Sequence, residues 1–376
     1  MKVLHLCSYY IGNKLYRNLF YEISKKRISQ SVYIPIRNKM QFNKNYFNSD
    51  KTKIYYDLIL KKYDRFLYGT KIVKQLRRVV EKIPNIESTS IIHAHTLFSD
   101  GGTAYLLNMK YGIKYIVSIR NTDINVFYKY ALHYRFLSHK ILKNASAIIF
   151  ISPAYKEKTL NVLPRNIAKQ ISDKSFIIPN GIDNRWFKEI SSKTIDPKKQ
   201  LKLLFVGTLD QNKNVISVIR AVERLVSQGK DVNLNIAGDG PLLNKLISQV
   251  EDRNLQNKIV FHGQIDIEKL IEIMDTSDIF ILPSYKETFG ISYIEAMARG
   301  VPVIYTRGEG ISGYFADGSV GYSITPDNIN EMINAINDIT DNYEIISRNC
   351  IIQAKNFNWD DIAQEYIDLY TLNSRS

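Results

Sequence analysis

Glu287 and Glu295 stand eight positions apart in "KETFGISYIEAMARGVPVI", Lys286 to Ile304, on either side of a Thr-Phe-Gly turn. An ionised carboxylate accepts two hydrogen bonds, which matches two neighbouring hydroxyls on a ribose or a hexose. The turn leads into a helix near Gly290. The amide N–H groups of Phe289, Gly290 and Ile291 are then unpaired donors at the positive end of a helix dipole, a setting that suits phosphate. Lys213, just before another helix in "VGTLDQNKN", adds a point charge after Gly207 at a strand end. In "AGDGPL", Gly238 and Gly240 form a turn that lets backbone approach a ligand, with Pro241 at a helix start. Taken singly, each has a plain alternative: a solvated lysine, a surface ion pair, an ordinary tight turn. Together they describe a place for sugar hydroxyls and a phosphate.

Such groups need strands and helices to carry them. "DIFILP" is a strand that Pro283 ends, so Ser284 to Phe289 is the loop at its carboxyl end. Short β-branched runs recur throughout: "KVLHLC", "SVYIPI", "SIIHAH", "KYIVSI", "SAIIFI" and "SFIIP", then "KLLFVG", "NLNIAG", "KIVFHG", "DIFILP" and "PVIYT". Helix-period segments lie between them, such as Asn214–Gln228 before Gly229 and Ser292–Arg299 before Gly300. This alternation predicts parallel sheets covered by helices, and ligands at the carboxyl ends of strands. A chain of 376 residues exceeds one ordinary core. The polar stretch from Asn180 to Gln200 sets a boundary, giving an N-terminal domain over 1–185 and a C-terminal one over 200–355. A last helix over 356–376 returns to the first domain.

The motifs, in order and spacing, resemble the family-four retaining glycosyltransferases of the GT-B fold (glycosyl transferases group 1). "VGTLDQNKN", "AGDGPL", "FHG", "DIFILPSYKETFGISYIEAMARGVPVI" and "GEGISGYFADGSVGY" carry the likeness through the second half, and "HAHTLFSDGG", "ISPAYKE" and "IIPNGID" carry it more loosely through the first. The resemblance implies an α/β architecture of two doubly wound Rossmann-like domains facing each other across a cleft. It implies a nucleotide-diphosphate sugar donor, a UDP-sugar by expectation, bound by the second domain, with Glu287 at the sugar and Glu295 at the ribose. Lys213 and the amides after Phe289 then neutralise the leaving diphosphate, and backbone around Gly240 and Gly263 meets the base. Gly12, in the first βα turn, brings backbone near the transferred sugar. No cofactor and no metal are implied, and the sequence has no Asp-x-Asp motif. Two departures stand out. Thr208 occupies a position where the family usually has arginine, and Arg120 follows a strand where it commonly has histidine. Arg120 is expected to supply cation density to the cleft, or else to pair locally with Asp123, which is expected to orient an acceptor or sugar hydroxyl.

His93 and His95 lie two apart at a strand end and point the same way, a pattern also seen in metal-dependent amidohydrolases. His5, His133, His139 and His262 form no second ligand cluster in the sequence, so no metal is expected and His95 is taken as structural or acceptor-side. Cys7 and Cys350 read as buried thiols.

The net charge of +14 is unevenly spread: residues 1–185 hold 32 Lys and Arg against 11 Asp and Glu, and the remainder 19 against 26. From Asp57 to Lys82 the sequence reads as a helix broken near Gly69. Leu58, Ile59, Leu60, Phe66 and Leu67 open its apolar set and Ile72, Val73, Leu76, Val79 and Val80 continue it. Lys71, Lys74, Arg77 and Arg78 head its basic set, a pattern for an anionic membrane surface; the plain alternative is a helix packed on its own sheet. The expected protein is cytoplasmic and peripheral on the inner face of the cell membrane. It moves a hexose to a growing, lipid-linked surface glycan such as capsule, O-antigen or exopolysaccharide. A soluble sugar acceptor is the nearer alternative. Nucleic-acid binding, suggested by basic charge and 25 tyrosines, is the other, and the tyrosines follow no recognised RNA-binding pattern. Apolar runs too short to cross a bilayer exclude a spanning protein.

Overall fold

The computed structural model describes residues 1–65, 68–188, 193–196 and 199–374, so the apolar positions Phe66 and Leu67 and parts of the 180–200 linker lie outside the described residues. The chain divides into two compact units: one of Met1–Ile151, Lys156–Gly181 and Trp359–Ser376, the other of Ser152–Tyr155 and Ile182–Asn358.

The first unit is built on seven parallel strands, β1 (Lys2–Leu6), β2 (Ser29–Ile36), β3 (Thr52–Leu58), β4 (Ile91–Ala94), β5 (Tyr115–Ser118), β6 (Ala147–Phe150) and β7 (Ser175–Ile177), in the order β3-β2-β1-β4-β5-β6-β7. Both faces are covered, so central strands such as "AIIF" are buried at every position. The chain order reverses between β1 and β4, and their carboxyl ends diverge there to leave a crevice. The closing helix Trp359–Asn373 packs against the helix Leu15–Lys25, and Trp359, Ile362, Tyr366 and Tyr370 join the core of Val3, Leu19, Phe20 and Ile23. Gly181 makes this possible, because a Cβ there would stand 2.6 Å from the Trp359 ring.

The second unit has six parallel strands, β8 (Leu201–Val206), β9 (Val232–Ala237), β10 (Ile259–Gly263), β11 (Ile279–Leu282), β12 (Val303–Thr306) and β13 (Gly321–Ile324), in the order β10-β9-β8-β11-β12-β13. Its reversal lies between β8 and β11. The helix Val215–Ser227 buries Val215, Val218, Ile219, Val222 and Leu225, the i, i+3, i+4, i+7 stripe of a helix on a sheet.

Two local readings are corrected and one, the buried thiols, is met. Thr52–Leu58 is an edge strand, so no helix begins at Asp57; the helix starts at Tyr68 and Gly69 lies in its first turn rather than breaking it. The edge strand escapes detection because its middle residues are only half buried and no clean alternation appears. β13 was also absent from the expected strands. It is four residues long and begins at Gly321, where a Cβ would clash with the Val303 carbonyl at 1.8 Å. Cys7 and Cys350 are buried free thiols.

Candidate active site

The carboxyl ends of β8 and β11 carry the two charged groups singled out by the sequence. Lys213 follows β8 at the head of the helix Val215–Ser227; Glu287 lies in the loop after β11. The fold brings them into an ion pair, Lys213 Nζ to Glu287 Oε2 at 2.5 Å, with side chains only 22% and 13% exposed. Each is held by backbone: the Lys213 N–H donates to Asp210 Oδ1 at 2.9 Å, and the Glu287 N–H donates to Glu309 Oε2 at 3.0 Å. Asn212 ties the two loops together, donating to the Lys286 carbonyl at 2.9 Å and accepting from its N–H at 3.1 Å.

Immediately beyond, the helix Ile291–Ala298 starts after Gly290, whose φ of +79° is the left-handed region that glycine tolerates. A Cβ on Gly290 would also meet the Tyr293 ring at 2.4 Å. No side chain caps this helix, and the N–H groups of Phe289, Gly290 and Ile291 have no acceptor among the described residues. A row of unpaired N–H donors close to a lysine is an arrangement for phosphate oxygens.

Glu295 stands further into the same helix, beside the indole of Trp186. Burial, opposed by that indole, pushes its carboxyl up to about 7. Sequence reasoning takes Glu295 as an ionised acceptor; its surroundings hold a proton on it well above the usual carboxylate range.

A separate cavity of about 290 Å³ opens beside the ends of β8 and β9, lined by Gly207, Thr208, Gly238, Asp239 and Gln264. Gly238 is obligatory: its φ is +141°, and a Cβ would fall 1.9 Å from the Gly207 carbonyl oxygen. Gly240 packs on Leu209 backbone, which a Cβ would meet at 2.5 Å. The Gly263 carbonyl accepts from the Gly238 N–H at 2.8 Å, at the rim of the same cavity. Thr208, the departure from arginine, lines this cavity and contributes no charge.

In the first unit the expected residues separate. Gly12 closes the first βα turn, donating to the Tyr9 carbonyl at 3.0 Å. Asp123 is buried, accepting from the N–H groups of Leu97 at 3.0 Å and Arg120 at 2.8 Å; burial, opposed by these bonds, pushes its carboxyl up to about 7. It still lines a cavity of about 320 Å³ at the ends of β1 and β4. Arg120 turns inward. Its guanidinium lies 5.6 Å from the centre of the Tyr16 ring and interacts with Tyr366, while its backbone N–H donates to Asp123.

His95 is also withdrawn from the cavity. It is fully buried and its Nε2 lies 3.1 Å from Nδ1 of His5, while His93 contacts the Tyr370 hydroxyl at 2.7 Å and Ser118 Oγ at 2.8 Å. In the linear sequence His5 is remote from this pair; strand pairing of β1 with β4 brings it alongside, and ligand atoms of all three lie within 4.8 Å of one another, close enough to hold a metal ion. His93 has both ring nitrogens engaged by Tyr370 and Ser118, so a metal would have to displace one of them. Burial lowers the basicity of all three rings, keeping them neutral, and the geometry reads as a hydrogen-bonded tie between the sheet and the closing helix.

The basic helix Tyr68–Lys82 is the largest correction. Lys71 is 8% exposed, with its ammonium 4.9 Å from the centre of the Tyr68 ring. Lys74 pairs with Asp64 at 2.8 Å, and Arg78 pairs with Asp57 at 2.8 Å and Glu81 at 2.7 Å. Of the four residues expected on a membrane, only Arg77 is exposed without a carboxylate partner among the described residues. Asp57 and Asp64 precede the helix in sequence and are folded back onto it, which neutralises the basic face.

Residues 187–357 match the model for glycosyl transferases group 1. Those residues span nearly all of the second unit, which carries a glycosyl transferases group 1 domain. An uncharacterized glycosyltransferase of Methanocaldococcus jannaschii is 27% identical over 304 residues, covering 80% of this chain and 79% of that protein. A putative teichuronic acid biosynthesis glycosyltransferase of Bacillus subtilis is 28% identical over 233 residues, covering 60% and 55%. Sucrose-phosphate synthase from Thermosynechococcus elongatus matches in structure with a TM-score of 0.73 at 19% identity, covering 99% of this chain and 98% of that one. Anabaena HepE in complex with UDP and glucose matches with a TM-score of 0.68 at 17% identity, covering 99% of each. These likenesses are of fold, and the fold is GT-B, α/β with two parallel sheets.

Two carboxylates beside these sites carry no signal in the sequence reading. Glu309, in "GEGISG", is buried and anchors the Glu287 backbone. Asp100, in "HAHTLFSDGG", accepts from the Ser8 N–H at 3.1 Å and the Ser8 hydroxyl at 2.5 Å. Both stood inside quoted motifs; what marks them is a contact across the sheet, which a linear motif does not carry.

Proposed function

We propose that this glycosyltransferase transfers a hexose from a UDP-sugar, with retention of anomeric configuration and without a metal, to a growing lipid-linked glycan at the cytoplasmic face of a membrane. One observation carries the donor half: the Lys213–Glu287 pair beside the uncapped start of the helix Ile291–Ala298. In the free protein Glu287 is the partner of Lys213. A diphosphate entering against the amides of Phe289, Gly290 and Ile291 offers Lys213 a second, doubly charged partner and frees Glu287 to accept hydrogen bonds from the sugar. The cation and the helix start then stabilise the charge that develops on the leaving phosphate, which is the main catalytic contribution available here. The cavity at Gly207, Thr208 and Gly238 suits the nucleoside, with Glu295 toward the ribose. The HepE complex with UDP and glucose supports a donor of this class on this fold.

The lipid surface is assigned away from the helix Tyr68–Lys82. Residues 126–140 support it better: Tyr130, Leu132 and Phe136 are 70%, 60% and 70% exposed, with Lys129 and Lys140 ammonium groups over the Tyr130 and Phe136 rings. Exposed apolar rings among lysines match the headgroup region of an anionic bilayer.

The test is a donor screen by released nucleotide, with and without lipid-linked oligosaccharide, followed by NMR of the product's anomeric proton. An α-linked donor is expected to give an α-linked product, and turnover is expected to persist in excess chelator. An inverted product contradicts the retaining reading, and chelator-sensitive turnover contradicts the metal-independent one.

A further inference from the structure

The cavity of about 320 Å³ in the first unit sits at the chain reversal between β1 and β4, and its charged groups are unequally committed. Its carboxylates are taken. Asp64 holds Lys74 at 2.8 Å and accepts from the Lys61 N–H at 2.6 Å; Asp123 accepts two backbone N–H groups. Asp100, behind the wall, is occupied by Ser8. Its cations are not. Lys71 reaches the cavity 8% exposed and its ammonium makes no hydrogen bond or ion pair among the described residues, standing 4.9 Å from the centre of the Tyr68 ring. Arg37 stands exposed at the mouth, and its guanidinium has no carboxylate partner among the described residues.

A buried ammonium without a charged or hydrogen-bonded partner is costly, and a ring face offsets only part of that cost. Desolvation lowers the Lys71 basicity, with Asp100 and Asp64 acting against it. An anion entering the cavity would give Lys71 its missing partner. The remaining wall is aromatic: Tyr9 is 43% exposed on one side, and Tyr68 lies edge-on to Phe127 at 4.8 Å on the other. Rings of this kind suit the C–H face of a sugar, leaving the cations to select a charged substituent.

We infer that this cavity is the acceptor subsite and that it takes a glycan acceptor carrying an anionic group, a carboxylate or a phosphate, held by Lys71 and Arg37 with the sugar against Tyr9 and Tyr68. The inference rests on the glycosyltransferase reading of the second unit and names the acceptor class within it.

Calorimetry on the full chain, saturated with UDP, compares methyl glucoside, methyl glucuronide, glucose 6-phosphate and inorganic phosphate. At least one charged sugar is expected to bind about tenfold or more tighter than methyl glucoside, and Lys71→Met to remove that difference. Arg37→Gln, at an exposed position, is expected to reduce it and keeps the test open if Lys71→Met fails to fold. Preference for the glucuronide identifies a carboxylate source; preference for the sugar phosphate identifies a phosphate. Equal binding of neutral and charged sugars overturns the inference, as does inorganic phosphate binding as tightly as glucose 6-phosphate. Titration of UDP in the same samples separates the two levels: intact UDP binding with no charge preference sinks only the acceptor subsite, whereas absent UDP binding sinks the donor reading.

Discussion

Replacing Lys213 by methionine keeps most of the stem and removes the ammonium, which isolates the charge. At the 2.5 Å separation from Glu287, an effective dielectric of about 20 gives a gross attraction of roughly 7 kcal/mol. Most of that repays the desolvation of two half-buried ions, so the net coupling in the free protein is on the order of 1–3 kcal/mol. Folding should therefore weaken modestly. Turnover should fall much further, because the same ammonium is needed as charge moves onto the leaving phosphate; losing one such donor typically costs ~10²–10³ in rate. Released nucleotide per unit time, at saturating donor, reads the effect. A cycle with Glu287→Gln adds a stricter requirement. If the pair hands Lys213 from carboxylate to phosphate, the two changes act on one unit, and the double variant should lose far less than the product of the single losses. Lys213→Met turning over within about threefold of the parent would refute the assignment. So would fully multiplicative losses.

Glu287→Gln should mainly lower turnover, and Glu295→Gln should mainly weaken UDP binding, as calorimetry with the bare nucleotide reads. The Glu295 carboxyl is pushed up to about 7, so if the ionised form takes the ribose, UDP affinity should rise as pH increases through about 7, and Glu295→Gln should remove that rise; a flat profile in the parent speaks against the role. Acid should destabilise the first unit, because His5 is depressed to about 3 against an unfolded value of about 6.5. The unfolded chain therefore binds more protons, and this stability, full above about 6.5, is lost as pH falls toward 3. Asp123, raised to about 7, works the opposite way, so Asp123→Asn should steepen the fall in thermal midpoint between about pH 7 and pH 4; an unchanged slope would contradict the Asp123 shift. Leu132→Ser with Phe136→Ser should abolish sedimentation with anionic vesicles while UDP binding persists, and unchanged sedimentation would remove residues 126–140 from the lipid surface.

Motifs and periodicity reach what lies along short, contiguous chain. The βα turns of the second unit place Lys213, Glu287, Gly290 and Glu295 from local signals alone: a β-branched run, a Pro or Gly stop, then helix periodicity. That is why the donor residues were nameable before any geometry. Their pairing was not, since β8 and β11 become neighbours only when the sheet assembles around the reversal. The first unit depends more heavily on such assembly. A helix pattern reveals which residues share a stripe, but not which carboxylates fold back onto it, so Lys74 and Arg78 read as free charge until Asp64 and Asp57 arrive beside them. Lys71 reads as their equal, yet packing places it in a cavity wall while Arg77, six positions on, stays in water. His5 and His95 stand ninety residues apart and meet because β1 pairs with β4 in parallel register. Periodicity is a property of one element, whereas charge compensation, burial depth and the meeting of distant side chains belong to several elements at once, and only the tertiary structure supplies those.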